Sequence, residues 1–511
     1  MSASGSEVEQ TTAMALEEKA KLVKSLRRMD MILFSVCALV GVDTLGTVAG
    51  YGAEAFTWLI VLAVLFLFPY ALLMAELGST FRQEGGPYEW MKLSFGRLTA
   101  GIGAVLYWVT NPLWVGGSLA FVATAAWSTL EHPIGTQTFG DYAFKLIFIW
   151  LSITVAIMAL RQGKWIPNLG AIARFILVAF FSLTVVIYGI KHGVHGYSAS
   201  GFKPSSAGFM VAVAVLLFNY VGFELQNGAA EEMRNPQRDV PVSIVRSGIL
   251  TVICYAIPIF GIFAVLPLNK IQGIDGFASA IQTTFTVYGG AANFLGDVFG
   301  LLFVLALVTS GAVWMIGSDR IQAVAAYDGA FMPWFGRFNA KLGTPVRVNV
   351  LSGVTATIFM FAAEQFSTGS NAATFTVVLY ISITTTLISY LFIFPAGVLL
   401  RRKHGHVDRP YRVPGGEWGM WVCASVTTFW VALGSWAAVF PGTIDHYVLG
   451  LHYSMQDNWG VSRARFETFT LGTLAVIVVF AVVMYAFGAD VRRREVAVPL
   501  ETPGLEPATG D

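Results

Sequence analysis

Two carboxylates lie in the middle of apolar stretches. Asp43 belongs to the run VGVDTLG, residues 40–46, inside an apolar segment from about residue 31 to 53. Glu224 ends a comparable run, FNYVGFE, residues 218–224. An ionisable side chain inside a membrane costs several kcal/mol unless a partner or a function compensates it, and glycine weakens a helix at the same level. Each run therefore predicts a membrane helix interrupted beside an acidic group, although either carboxylate could instead be structural, hydrogen-bonded to a neighbouring helix.

The composition predicts an integral membrane protein. Of the 511 residues, 55% are hydrophobic and 12% are charged, whereas soluble domains carry about 25% charged residues. The formal net charge of +1 gives no sign of nucleic-acid binding. The three cysteines, Cys37, Cys254 and Cys423, lie in apolar segments without metal-ligand spacing. We expect buried thiols, with no metal site, no cofactor and no disulfide framework.

Twelve apolar windows are long enough to cross a bilayer. They lie at about 30–53, 55–78, 98–128, 143–160, 165–190, 208–230, 242–267, 292–321, 346–363, 373–400, 418–440 and 466–489. Most of the 32 Lys and Arg residues fall on the side of the N-terminus and of every second loop. The positive-inside rule then predicts that both termini are cytoplasmic. Residues 1–28 are expected to form a cytoplasmic arm rather than a signal peptide, and residues 490–511 a disordered tail.

The two predicted interruptions are in spans one and six, five spans apart. With an odd number of spans per repeat, the second repeat must run in the opposite topology. Corresponding interruptions in two such halves indicate a transporter with a binding site near the bilayer midplane. We assign residues 29–191 to the first repeat, 207–400 to the second and 418–489 to two additional helices. Free backbone groups at the breaks are tolerated only where they line a cavity.

Several separated motifs resemble the amino acid–polyamine–organocation (APC) transporter superfamily, of the bacterial permease type. After span two come AELGS at 75–79 and EGGPYEW at 84–90, and span six leads into EEMRNPQRDVP at 231–241. SDR at 318–320, DGAFMP at 328–333, GTPV at 343–346 and RPYRVPGG at 409–416 follow in the family's order. The resemblance covers about residues 24–494. It implies an all-α membrane fold, the ten-helix inverted repeat of the bacterial leucine transporter with two further helices.

The resemblance also implies which residues bind the substrate, an amino acid or an amine. They are Gly41, Val42, Asp43, Thr44, Phe218, Asn219, Tyr220, Gly222, Glu224 and Trp314. Glu224 matches a position that polyamine carriers associate with the substrate amine. Trp314 matches a tryptophan that lines the pocket of the arginine/agmatine antiporter and of putrescine carriers, but it could equally be one of 14 tryptophans that fill the core.

One position departs from the family pattern. Amino acid carriers of this family commonly have Gly-Ser-Gly in the first break, whose N–H groups hold the substrate carboxylate, whereas this chain has Gly41-Val42-Asp43. An ionised Asp43 would oppose a carboxylate by roughly 4 kcal/mol at about 4 Å and an effective dielectric constant near 20. We therefore expect a cationic or amine-anchored substrate.

Arg174 is a third charge inside a predicted span. The resemblance places it where many sodium-independent relatives carry a lysine that occupies a sodium site. Because arginine keeps its proton in proteins, it is expected to replace the ion and brace span one, unless it snorkels to the cytoplasmic surface. Sodium coupling is not expected in either case. If a proton is coupled, Asp43 or Glu224 would carry it, and exchange of two cationic substrates would need no proton.

These features predict a secondary transporter of the cytoplasmic membrane, working by proton symport or by exchange, with an amino acid or amine and the lipid bilayer as its partners. Alternative substrates are glutamate or GABA, or a neutral amino acid in antiport. The alternative classes are a transporter-like membrane sensor and a membrane enzyme. An enzyme is not expected, because the seven histidines lie in loops without catalytic spacing.

Overall fold

The computed structural model of the protein describes residues 8–158, 165–194, 199–267, 271, 276–366, 371–456 and 461–499. The regular secondary structure of this part of the chain is helical apart from two short strands, β1 (Val8–Thr12) and β2 (Glu495–Pro499). The α-helices are α1 (Ala13–Lys19), α2 (Arg28–Leu39), α3 (Leu45–Gly50), α4 (Ala53–Leu62), α5 (Phe68–Thr80), α6 (Gly86–Phe95), α7 (Arg97–Trp114), α8 (Ala120–Leu130), α9 (Phe139–Met158), α10 (Trp165–His192), α11 (Ser206–Phe218), α12 (Pro236–Val265), α13 (Gly276–Phe285), α14 (Ala292–Tyr327), α15 (Val346–Phe366), α16 (Asn371–Lys403), α17 (Gly416–Val439), α18 (Thr443–Tyr447), α19 (Arg463–Phe487) and α20 (Ala489–Arg492). Short 3₁₀ segments lie at Val42–Thr44, Ala199–Phe202, Phe223–Glu232, Thr286–Ala291 and Pro333–Gly336, and π-helical turns at Ala63–Leu67 and Val115–Leu119.

The prediction of an all-α membrane protein is confirmed. Within the described residues, 11 helical segments are long and apolar enough to cross a membrane. The predicted sixth span, 208–230, is not among them because it is divided into the 13-residue helix α11 and the 3₁₀ segment Phe223–Glu232. The count of twelve therefore holds only if this divided segment crosses the membrane as one unit.

Both predicted interruptions are present. The first helix ends at Leu39, and Val40 is non-helical and Gly41 extended before the 3₁₀ turn that contains Asp43. The second ends at Phe218, and Gly222 has a φ of 129°, which only glycine adopts without strain. The regular α-helix thus ends four residues before Asp43 and six residues before Glu224.

The interrupted helices lie at the centre of the bundle. In the apolar window of the segment Arg28–Gly50, 78% of the residues are buried by other parts of the protein, compared with 17% for α19 at the periphery. Helix α12 packs against both α2 and α5, and α14 packs against α7 and α10. The five helices that surround them, α5, α7, α10, α12 and α14, supply most of the side chains that contact the two breaks.

The two ends of the chain pair with each other. Strands β1 and β2 form an antiparallel ribbon in which Val8 lies opposite Pro499 and Thr12 opposite Glu495. The tail expected to be disordered from residue 490 thus begins with the short helix α20 and a strand. Its composition indicated disorder, but the alternation in Glu-Val-Ala-Val gives a strand once the N-terminal arm supplies a partner. Residues 500–511 lie outside the described part of the chain.

Candidate transport site at two interrupted helices

Asp43 is buried at the first break with one oxygen unused. Its side-chain carboxylate accepts a hydrogen bond at Oδ2 from Trp114 Nε1, at 3.2 Å. Oδ1 has no hydrogen-bond partner among the described residues, although Asp43 is only 4% exposed. A buried acceptor without a donor is costly.

A side chain at Gly41 would press against this carboxylate. A Cβ atom at Gly41 would lie 2.8 Å from Asp43 Oδ1 and 3.3 Å from Tyr255 Oη. Such a side chain would displace the carboxylate or the tyrosine. The glycine therefore has a steric role as well as a conformational one, and Thr44 closes the turn by donating from Oγ1 to the Gly41 carbonyl at 3.1 Å.

A tyrosine from α12 replaces the missing helical bonds at the first break. Tyr255 Oη accepts the Gly41 N–H at 2.8 Å and donates to the Leu39 carbonyl at 2.9 Å. Buried backbone groups need partners, and here one hydroxyl satisfies a donor and an acceptor together. The turn that carries Asp43 is thereby fixed by a residue of a neighbouring helix.

Glu224, at the second break, has every oxygen occupied. Tyr107 and Tyr390 donate their hydroxyls to Oε1, at 2.5 and 2.6 Å, and Tyr70 donates to Oε2. The side chain is fully buried. The three tyrosines come from α7, α16 and α5, so that one carboxylate connects three helices to the broken one.

The second break is held by the same kind of residue as the first. Tyr70 Oη accepts the N–H groups of Gly222 and Phe223, at 2.8 and 2.9 Å. Both breaks thus consist of a glycine, an acidic residue two positions later and a tyrosine hydroxyl that binds the glycine N–H. The tyrosines lie on α5 and α12, which belong to spans two and seven in the predicted repeats.

An aromatic cluster joins the two breaks. Trp114 lies between Phe218 and Trp314, with ring centroids 5.9 and 6.3 Å away. Trp314 donates from Nε1 to the Ala38 carbonyl at 2.9 Å, and a Cβ at Gly222 would be 3.1 Å from its ring. Trp314 therefore contacts both breaks. A π-helical turn follows Trp114, a distortion that is frequent at functional sites.

The remaining predicted residues occupy different positions around this cluster. Asn219 is buried, and neither its amide oxygen nor its nitrogen has a partner among the described residues. Tyr220 points elsewhere, because its hydroxyl donates to the Leu59 carbonyl at 2.9 Å. Val42 is fully buried. The structure thus brings Asp43, Phe218 and Trp314 together around Trp114. Glu224 lies in its tyrosine cage, where the Tyr107 ring is 6.5 Å from that of Trp314.

Sequence reasoning missed the tyrosines and one tryptophan that complete the site. These residues are Tyr70, Tyr107, Trp114, Tyr255 and Tyr390. Each is a polar aromatic residue inside an apolar span, and that is the one signal the sequence offers. Such residues are common in membrane proteins, and which break each of them contacts depends on how distant helices pack.

Arg174 is buried between α2, α10 and α14. Its guanidinium donates to the carbonyls of Val40, Gly170 and Ala306, at 3.0, 2.9 and 2.5 Å, and to the hydroxyls of Thr309 and Ser310, at 3.0 and 2.6 Å. The side chain is fully buried and does not snorkel to the membrane surface. By binding the Val40 carbonyl, it ties the end of α2 to α10 and α14.

A second buried charge cluster joins the C-terminal part of α14 to the loop that follows α5 and to the end of the second break. Arg320 Nη1 is 2.7 Å from Glu84 Oε1 and 3.0 Å from Glu232 Oε1. Burial raises the pKa of Glu84, and the nearby Glu232 and Glu231 raise it further, while Arg320 opposes the shift. The cluster of Arg320, Glu84 and Glu232 has no net charge when one of its two carboxyl groups carries a proton.

Two interrupted helices, joined by aromatic residues inside an all-helical membrane bundle, define a membrane transport protein. The chain belongs to the amino acid permease family, whose family model matches residues 26–449. The match includes both breaks, the tyrosine cage and Arg174. It ends before α19, the last long helix.

Three relatives illustrate the range of the family. The chain is 29% identical over 390 residues to the probable agmatine/putrescine antiporter AguD of Lactococcus lactis, covering 76% of this chain and 82% of the relative. It is 26% identical over 398 residues to an uncharacterised transporter of Legionella pneumophila, with coverage of 77% and 85%. It is 22% identical over 420 residues to the branched-chain amino acid permease BcaP of Bacillus subtilis, with coverage of 78% and 86%.

Proposed function

We infer that this protein is a secondary transporter of organic amines or cationic amino acids that binds the substrate's ammonium or guanidinium group at Asp43. The observation that carries this inference is the unused oxygen of a buried carboxylate at a helix break. A cationic group of the substrate would supply the missing donor and neutralise the charge together. The name of one relative, an agmatine/putrescine antiporter, supports the same substrate class.

The aromatic cluster around Asp43 favours a cation as well. The faces of Trp114 and Trp314 attract a cation by about 0.5–2 kcal/mol each. A free carboxylate would instead meet Asp43 without a counterion. Among the described residues, no cationic side chain touches Asp43. The predicted repulsion between Asp43 and a substrate carboxylate is therefore not offset by such a contact.

Transport would proceed by alternating access at the two breaks. Glu224 joins α5, α7 and α16 to the second broken helix, so any tilt of that helix changes the tyrosine cage. Arg174 fixes the end of α2 with a permanent positive charge, which supports a cycle without sodium. Exchange of one amine for another, or symport with a proton carried by Asp43 or Glu224, both fit this arrangement. The distribution of Lys and Arg supports a cytoplasmic-membrane location with both termini inside.

A second candidate is a neutral amino acid bound through its ammonium group. Asp43 would hold the ammonium, and the unpartnered Asn219 amide would donate to the carboxylate. The relation to a branched-chain amino acid permease supports this alternative. Glutamate and GABA fit less well, because their additional or distal carboxylate would need a cationic partner.

The experiment measures uptake into proteoliposomes that contain the purified protein. The proteoliposomes are preloaded with each test compound in turn. The panel contains agmatine, putrescine, arginine, leucine, GABA and glutamate, with and without a pH gradient. We expect exchange of agmatine, putrescine or arginine to exceed that of glutamate by at least about tenfold. Transport of glutamate with the amines ignored would contradict the proposal, and transport of leucine alone would support the second candidate.

A further inference from the structure

A cavity lies at the end of the bundle where the two ends of the chain meet. Its volume is about 450 Å³, within the roughly 300–1,000 Å³ of ligand pockets. Its walls come from α1, from α20 and the turn after it, from the segment between α14 and α15, and from the first turn of α15. None of its lining residues belongs to either break or to the tyrosine cage.

The lining of this cavity is strongly basic. Among the described residues it contains three arginines, Arg337, Arg347 and Arg494, and one acidic residue, Glu17. The side chains of Glu17 and Arg337 are 59% and 48% exposed and their charged atoms are 3.4 Å apart, so this pair is held only weakly. The lining therefore has two more positive than negative charges, and an anion would reduce the repulsion among the guanidinium groups.

A second carboxylate near Arg337 does not cancel this excess. Glu18 lies 3.6 Å from Arg337, but it also pairs with Lys21 at 2.7 Å and accepts the Phe338 N–H at 2.9 Å. Glu18 is not part of the lining. Its charge is therefore balanced by a lysine that lies outside the cavity.

Two of the arginines have N–H donors left for a ligand. Arg347 donates from Nη1 to the Trp334 carbonyl at 2.7 Å, and its guanidinium carbon lies 4.5 Å from the centre of the Trp334 ring. These contacts hold the guanidinium in place, and its other N–H groups have no further hydrogen bond to a described residue. The side chain of Arg494 is exposed and makes no hydrogen bond or ion pair within the described part of the chain.

We propose that this cavity binds a phosphate group, which Arg347 and Arg494 hold by hydrogen bonds while Arg337 adds a third positive charge. The planar guanidinium group matches the spacing of phosphate oxygens and binds two of them at once. A phosphate monoester carries about 1.5 to 2 negative charges at pH 7, which is close to the excess charge of the lining. This site is independent of the proposed substrate and of the direction of transport.

The phosphate could belong to a soluble ester or to a lipid head group. Trp334, in the wall of the cavity, is 52% exposed, and tryptophan is enriched where a membrane meets water. A monoester lipid such as phosphatidic acid offers the same group as a soluble phosphate ester. The experiment therefore has one arm for each source.

A phosphate in this cavity would connect parts of the chain that are distant in sequence. Arg347 belongs to the first turn of α15, and Arg494 precedes β2. The Arg494 carbonyl accepts the Ala13 N–H at 3.4 Å, so Arg494 already lies at the junction of the two chain ends. The ligand would tie this junction to α15.

Isothermal titration calorimetry of the full-length protein in an uncharged detergent is the soluble arm, with methyl phosphate as the probe. Arg494→Gln and Arg347→Gln should each raise its Kd about tenfold, because each removes charged N–H donors. Glu17→Gln removes the one carboxylate of the lining and should lower the Kd about threefold. Misfolding cannot produce this gain in affinity.

Native mass spectrometry is the lipid arm, with phosphatidic acid and phosphatidylcholine of the same acyl chains as probes. Preferential retention of phosphatidic acid by the wild type, lowered at least about threefold in Arg494→Gln, identifies a lipid head group as the source. Saturable binding of methyl phosphate without such a preference identifies a soluble ester. Either result supports the phosphate site.

Arg493→Gln is the matched control. Arg493 adjoins Arg494 in the chain, but its side chain is 80% exposed, lies 3.7 Å from Asp490 and does not line the cavity. This variant should bind both probes as the wild type does.

Three results would overturn the proposal. The first is failure of the wild type to bind either probe. The second is binding that is unchanged in both Arg494→Gln and Arg347→Gln. The third is an equal loss in Arg493→Gln and Arg494→Gln, because the probes would then respond to the positive charge of the surface and not to the cavity.

Discussion

The break at Asp43 and the break at Glu224 are built from the same parts but differ in how many hydrogen bonds the acidic group receives. Each has a glycine, an acid two residues later and a tyrosine that binds the glycine N–H. Glu224 receives three hydroxyl groups, whereas Asp43 receives one indole N–H and keeps a free oxygen.

This difference indicates a division of roles between two related sites. A carboxylate with all its acceptors occupied holds helices together and gains little from a ligand. A buried carboxylate with an unused acceptor is costly for the empty protein, and a ligand that supplies a donor removes that cost. We therefore expect substitutions at the first break to change affinity, and those at the second to change stability and turnover.

The largest effect is expected for Asp43→Asn. The amide keeps the size of the side chain but removes the charge that a cationic substrate neutralises, and hydrogen bonds to charged groups contribute about 1.5–3 kcal/mol. Substrate Kd should rise about 100-fold, with little change in Tm. Isothermal titration calorimetry of the purified protein measures the substrate Kd. An unchanged Kd would indicate that Asp43 has a structural role instead.

Glu224→Gln should show the opposite pattern. An amide offers one acceptor oxygen and adds an N–H₂ group that faces the hydroxyl of Tyr70, which already accepts two N–H groups. We expect Tm to fall by several degrees and turnover by about tenfold, with Kd changed less than about threefold. A loss of affinity as large as that of Asp43→Asn would show that the two carboxylates bind the substrate together.

The paired variants Tyr70→Phe and Tyr255→Phe compare the two breaks directly. Tyr70→Phe leaves two backbone N–H groups and a carboxylate oxygen without a partner. Tyr255→Phe leaves the Gly41 N–H and the Leu39 carbonyl with only their 3.2 Å hydrogen bond to each other. Because each unpaired buried group costs about 1–3 kcal/mol, Tyr70→Phe should lower Tm more. Tyr255→Phe should raise Kd about 3- to 10-fold by loosening the turn at Asp43. The reverse order in both measurements would contradict the division of roles.

The smallest effect concerns the charge cluster beyond the second break. Burial raises the pKa of Glu84, so the folded protein holds a proton that the unfolded chain releases near the ordinary value of 4.5. The contribution of Glu84 to stability should therefore fall as pH rises from 4.5 to the raised value. Glu84→Gln should flatten the dependence of Tm on pH in this interval, with Glu17→Gln, at the exposed pair with Arg337, as the control. An equal slope in wild type and Glu84→Gln would assign the proton to another group.

The fold could be predicted because its signals are local. Apolar windows of sufficient length define spans, and Gly41 and Gly222 beside carboxylates mark breaks without any knowledge of packing. The bracing role of Arg174, by contrast, was implied by the family resemblance, and its charge alone left snorkelling to the membrane surface open.

The completion of the site could not be predicted, because it depends on contacts between distant parts of the chain. Tyr255 is more than 200 residues from Gly41, and Tyr390 more than 160 from Glu224. No spacing within one helix indicates such a pair. The assignment of Glu224 to substrate binding followed from resemblance, whereas its saturation by three hydroxyls appears only when the helices are assembled. The pairing of the chain ends was hidden for the same reason.

The ribbon formed by those ends has a mechanical consequence for the second break. Ser25 and Leu26 donate their N–H groups to the Glu232 carbonyl, at 2.8 and 3.0 Å, and Lys19 is 2.9 Å from Glu231. The arm is thus bonded to the last turn of the broken helix, while β1 anchors it to β2. The pairing of β1 with β2 therefore connects the two ends of the chain, and this ribbon lies outside the helix bundle. Spectroscopic labels on the arm and on β2 would therefore report the movement of an inaccessible helix from an accessible place.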